Sequence, residues 1–93
     1  MTIKDLLKQM IDEDASDLFY RAGGIPHLRL DGKIVAVGET ILGVYDVEKA
    51  IEVLTTPQQR EMFKNNLDID FALYLEEFQR RFRISIFMQR NRP

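Results

Sequence analysis

Cysteine is absent from the 93-residue chain. That excludes disulfides, thiol nucleophiles and thiolate metal sites, and it fits a reducing compartment. Histidine is nearly absent as well. His27 stands alone at the start of an apolar segment, without the second His or Cys that a metal site needs. No apolar run approaches the ~20 residues that span a bilayer. The first ten residues carry Lys4, Asp5 and Lys8 inside an amphipathic pattern, unlike a secretory signal. The phosphate loop G-x-x-x-x-G-K-[ST], the dinucleotide fingerprint G-x-G-x-x-G and the nucleophile elbow are all missing. Gly23-Gly24 is too short to cradle a nucleotide, and the acids Glu76-Glu77 and Asp68/Asp70 have nothing beside them that marks a general acid. These residues are therefore expected to catalyse nothing by themselves. A net charge of −2 argues against a general affinity for nucleic acid.

What is present suits one domain. A hydrophobic share of 45% and a charged share of 30% are ordinary for a soluble globular fold of this size. The charge, however, is uneven. From Gln79 to Pro93 there are five arginines and no acid, while the preceding residues carry all fifteen acids. An acidic body thus ends in a basic strand. Within that strand Phe82, Ile84, Ile86 and Met88 alternate with Arg81, Arg83, Ser85, Phe87 and Gln89. Side chains alternate across a strand, so Arg81 and Arg83 share a face, roughly 7 Å apart. Holding two guanidiniums there is unfavourable unless a carboxylate or another anion is near. Glu76, Glu77 and Asp70 are the candidate carboxylates in the chain. The alternative is an external anion, because guanidinium forks bind phosphate bidentately and stay charged.

The remaining pattern predicts the order α-β-β-β-α-α-β-β, an α+β fold with a mainly antiparallel sheet. Ile3, Leu6, Leu7, Met10 and Ile11 recur at helical spacing behind Thr2, a candidate N-cap, and this helix should end near Asp14. Leu18 to Arg21 reads as a strand, and Ala22 to Pro26 as a turn. His27 to Leu30 and Lys33 to Val37 read as strands joined by Asp31-Gly32, a two-residue type I′ hairpin signal. Val47, Ala50, Ile51 and Leu54 predict a second helix with Asp46 near its start. Thr56-Pro57-Gln58-Gln59 is a capping box for a third, which should run to about Asn65 with Met62 and Phe63 inward and Asn65-Asn66 as its exit. Asp68 to Leu75 alternates as a strand, Glu76 to Gln79 turns, and the arginine strand follows.

Six fragments occur in order: Ser16-Asp17-Leu18-Phe19, Ala22-Gly23, Pro26-x-x-Arg29-x-Asp31-Gly32, Gln59-Arg60-x-x-Phe63, Asp70-Phe71, and Arg81-Phe82-Arg83-x-x-x-Phe87-x-Gln89-Arg90. Together they resemble the N-terminal domain of the PilT/PilU twitching-motility ATPases, the retraction motors of type IV pili within the secretion-ATPase family. The resemblance runs from about Ile3 to Asn91, and the Ser-Asp-Leu-Phe and Phe-x-Gln-Arg-Asn forms look more like PilU. Two features depart from the family. Phe19 stands where a histidine is common, and Val44-Tyr45-Asp46 replaces the usual Thr-Pro start of the second helix.

The resemblance implies a PAS-like fold for residues 1–93, followed in the whole protein by a RecA-like ATPase domain that binds ATP and Mg2+. It implies a cytoplasmic homohexamer, peripheral at the inner membrane and in contact with a pilus platform protein there, with no membrane insertion and no nucleic-acid partner. It also implies that Arg81, Arg83 and Arg90 reach towards a nucleotide of the ring. Two alternatives stay open: the matching domain of a pilus-assembly or type II secretion ATPase, and a stand-alone PAS-like sensing or docking module. The latter predicts an apolar pocket with convergent polar groups.

Overall fold

A computed structural model describes residues 2–63 and 68–88. Eight elements follow in the expected order: α1 (Ile3–Glu13), β1 (Asp17–Arg21), β2 (His27–Leu30), β3 (Lys33–Ala36), α2 (Val44–Leu54), α3 (Pro57–Phe63), β4 (Asp68–Leu75) and β5 (Arg80–Phe87). They build one five-stranded sheet in the order β3-β2-β1-β5-β4. Neighbouring strands are antiparallel except at the centre, where β1 and β5 run parallel with Leu18 opposite Ile84 and Tyr20 opposite Ile86. The fold is therefore α+β with a mixed, mostly antiparallel sheet.

Local chemistry fixes the ends of the elements. Thr2 caps α1 through a reciprocal box, its hydroxyl accepting from the Asp5 N–H while the Asp5 carboxylate accepts from the Thr2 N–H. Asp14 closes α1 in the left-handed region at φ 58°, where its N–H donates to the carbonyls of Ile11 and Met10. Asp31 and Gly32, at φ 50° and 80°, make the predicted type I′ turn. Thr56 and Gln59 form the predicted capping box at α3. The unusual start of α2 is capped in half. Gly43 has no side chain to give, but its N–H donates to Asp46 Oδ2 at 2.8 Å.

One side of the sheet is covered. Ile3, Leu6 and Met10 of α1, with Val47, Ala50 and Leu54 of α2, form a single buried cluster with Leu18 and Tyr20 of β1, Leu28 of β2, Ile69 of β4 and Phe82, Ile84 and Ile86 of β5. Met88 packs against its edge, so the predicted apolar face of β5 is present in full. Met62 does not join the core and is 73% exposed, contrary to the inward position expected for it. The reason lies in Arg60, whose guanidinium donates to the carbonyls of Glu52 and Thr55 at 3.1 and 2.8 Å and turns its own side of α3 towards α2. A residue two positions on lies about 200° round the helix and faces outward. The Phe63 side chain and the expected exit at Asn65-Asn66 fall outside the described residues.

Candidate functional site: the open face of the sheet

Among the described residues the buried faces of α1 and α2 meet one set of strand side chains, and the odd-numbered residues of β1 and β5 point to the opposite side of the sheet. Strand register lines up charges across it. Arg29 of β2 is opposite Asp17 of β1, which is opposite Arg83 of β5. Asp70 of β4, opposite Ser85, sits diagonally beside Arg83. The result is an alternating row, Arg29, Asp17, Arg83, Asp70. Arg29 Nε lies 3.3 Å from Asp17 Oδ1, and Ser16 Oγ donates to the same oxygen at 2.6 Å. Arg83 grips Asp70 with two nitrogens, Nε at 3.0 Å and Nη2 at 2.5 Å. The Arg83 hydrogen bond holds the Asp70 carboxyl below its ordinary pKa, and Asp70 in turn raises that of Arg83, with a smaller push from Asp17.

Two guanidiniums lie over aromatic rings on the same face. Arg29 is 5.5 Å from the centre of Phe19, and Arg21 is 5.6 Å from that of Phe87. Phe19 therefore carries an arginine in this chain. Around Phe19, Arg21, His27 and Phe87 lies a shallow cleft of about 270 Å³. His27 contacts the Ile25 carbonyl through Nδ1 at 2.7 Å.

The predicted site residues are placed unequally. Arg81 and Arg83 share the open face, as alternation required. Arg83 has its carboxylate, and of the three candidates it is Asp70. Arg81 lies opposite Tyr74, is exposed, and has no ion pair or hydrogen-bonded side chain among the described residues. Arg90 falls outside the described residues. Arg80, to which the sequence assigned no role, points to the covered side, pairs with Asp14 at the end of α1 and lies 5.5 Å over the Phe82 ring. A cation there also meets the negative end of the helix. Asp17 and Arg29 stand in the ordered motifs but, like Arg21, were assigned no site role from the sequence. The alternation of Asp17-Phe19-Arg21 with Leu18-Tyr20 was the available signal. Among the described residues no cluster of His, Cys, Asp or Glu could hold a metal, and no helix is long and apolar enough to cross a membrane.

An open face on which Arg83 is paired with Asp70 and Arg81 has no ion pair among the described residues can receive an anion or an acidic surface. Comparison with known proteins agrees with the motif order. No family model matches the chain. It is 33% identical over 91 residues, 98% of its length, to the type IV pilus ATPase PilU of Pseudomonas aeruginosa. Its fold matches a crystal structure of the pilus retraction motor PilT with bound ADP at a TM-score of 0.73, with 26% identity over 97% of the chain. The chain spans about a quarter of each relative, 24% of PilU and 26% of the PilT chain. The resemblance to the pilus-retraction ATPases is thus borne out in sequence and in fold, and both matches are consistent with an N-terminal domain.

Proposed function

We propose that this chain is the N-terminal regulatory and oligomerisation domain of a hexameric pilus-retraction ATPase. In that reading it supplies arginines towards a nucleotide bound by the ATPase domains of the ring. The carrying observation is Arg81, exposed and without an ion pair among the described residues, beside Arg83 on the open sheet face of a chain similar to PilU over nearly its whole length. The PilT match with bound ADP supports nucleotide use by the whole protein. ATP and Mg2+ would be held by the ATPase domain, in the cytoplasm at the inner membrane, where a pilus platform protein would be the partner.

On this reading the N-terminal domain contributes charge and position, not bonds. Arg81, with no ion pair among the described residues, can meet a phosphate directly. Arg83 must exchange Asp70 for it, and that exchange is feasible because both side chains are about half exposed or more. Exposed ion pairs contribute little to stability. Trans-acting arginines in other phosphoryl-transfer systems contribute ~10³–10⁵ in rate. The test is ATP turnover by the whole protein carrying Arg81→Ala, Arg83→Ala or Arg90→Ala. A loss of at least about ten-fold in kcat with an intact ring is expected for one or more of them. Wild-type turnover in all three would overturn the nucleotide role.

A further inference from the structure

On the covered side of the sheet a cleft lies between the first turn of α1 and the exposed flank of α2. Its volume is about 440 Å³, within the range of small-molecule sites. Tyr20 of β1 lies at its floor and is 3% exposed. A tyrosine buried this far normally finds a partner for its hydroxyl. Here none exists among the described residues. No side-chain oxygen or nitrogen of those residues is sealed from solvent without a partner, and Tyr20 is among the residues that line the cleft. Burial, and then the charge of Asp46, hold its pKa above the ordinary value, so it stays a protonated donor.

The walls are apolar: Ile3, Ala50, Val53 and the ring of Tyr45, which is 72% exposed. The rim carries charges of both signs, Lys4 and Lys49 against Asp46. Lys49 pairs with Glu52 at 3.5 Å, whereas Lys4 has no carboxylate partner among the described residues. Asp46, the acid in the lining, is turned to the Gly43 N–H.

We propose that this cleft binds a small carboxylate with an aromatic or branched apolar body. The body lies against Tyr45, Val53 and Ile3, and the carboxylate accepts from the Tyr20 hydroxyl beside Lys4. The inference goes beyond the retraction-motor reading and does not rest on it. The site is on the opposite side of the sheet from Arg81 and Arg83, so occupancy would couple to them only through β1 and β5.

The probe is 3-phenylpropionate, titrated into the 93-residue chain and followed by amide chemical shifts. Saturable shifts are expected at Lys4, Tyr20 and Lys49, with a Kd of about 1 mM or tighter for a molecule of this size. The neutral 3-phenylpropanamide should bind at least about ten-fold more weakly, and Tyr20→Phe should weaken the acid about five-fold. Lys4→Gln, on the exposed rim, should weaken it too, and it carries the test if Tyr20→Phe does not fold by circular dichroism. No saturable shift up to about ten times that Kd would overturn the proposal. So would equal affinity for acid and amide, which marks an apolar crevice only, or shifts confined to residues around Arg81, which mark capture by the open face.

Discussion

Phe82, Ile84 and Ile86 turn to the helices, while Arg81, Arg83 and Ser85, each one residue away, turn to the open side. One strand thus serves two surfaces with opposite chemistry. The covered side holds the strand order by apolar contact with α1 and α2. The open side contributes ion pairs that solvent can reach, a single Arg29–Asp17 contact at the sheltered centre and the two-pronged Arg83–Asp70 pair at the β4 margin. The lesson is a division of labour: residues that determine the fold and residues available to a partner alternate along the same eight positions. The open side can therefore change partners without loss of the fold.

The sharpest way to break that division is to truncate the covered side. Ile84→Ala should lower unfolding free energy by about 2–5 kcal/mol, a large part of a small domain's total. Urea denaturation would read it, and a loss below about 1 kcal/mol would mean that the centre of the sheet is not held by this face. An intermediate effect is expected from Asp17→Ala, because Asp17 is on the open side yet 8% exposed. It leaves the Arg29 guanidinium and the Ser16 hydroxyl without their acceptor, at a cost of about 1–3 kcal/mol. A cost equal to that of Ile84→Ala would show that the open side helps to determine the fold.

Asp70→Asn should have the smallest effect, and its pH dependence gives the sign. The Asp70 pKa is lowered in the folded state. Its contribution is therefore present above the ordinary carboxylate pKa of 3.8 and lost as pH falls through the lowered value. The difference in thermal midpoint between wild type and Asp70→Asn should be small at pH 7, shrink below about pH 4 and shrink also in high salt. A difference that persists at pH 2 would assign the effect to packing instead of charge.

Signals that act over a few residues were legible in the chain. The Asp31-Gly32 turn, the Thr56/Gln59 box and the alternation from Phe82 to Met88 each carry their geometry in adjacent side chains. The similarity to PilU and PilT was legible in the order of short motifs. What was not legible depends on partners far away in the chain. The parallel pairing of β1 with β5 leaves no local trace, since either strand would alternate in the same way beside another neighbour. The Arg29–Asp17 pair and the Tyr20 cleft follow from that pairing and from the approach of α1 to α2. Met62 was misread because α3 is only two turns long, and one contact by Arg60 decided which of its sides faced in.

The central parallel pair also sets an order of events as the chain folds. Asp14 and Arg80, which meet beside it, are 66 positions apart. Bringing such distant segments together carries a loop-closure entropy that local hairpins avoid. The β2–β3 hairpin can close as soon as Ala36 exists, whereas β1 must wait for β5. Until then Leu18 and Tyr20 have no neighbour on one edge, and α1 has no finished floor to settle on. Proteins dominated by such distant pairings fold slowly. Amide protection at Leu18 and Ile84 should therefore arise together and late, with the arginines of β5 arriving on the surface in the same step that completes the core.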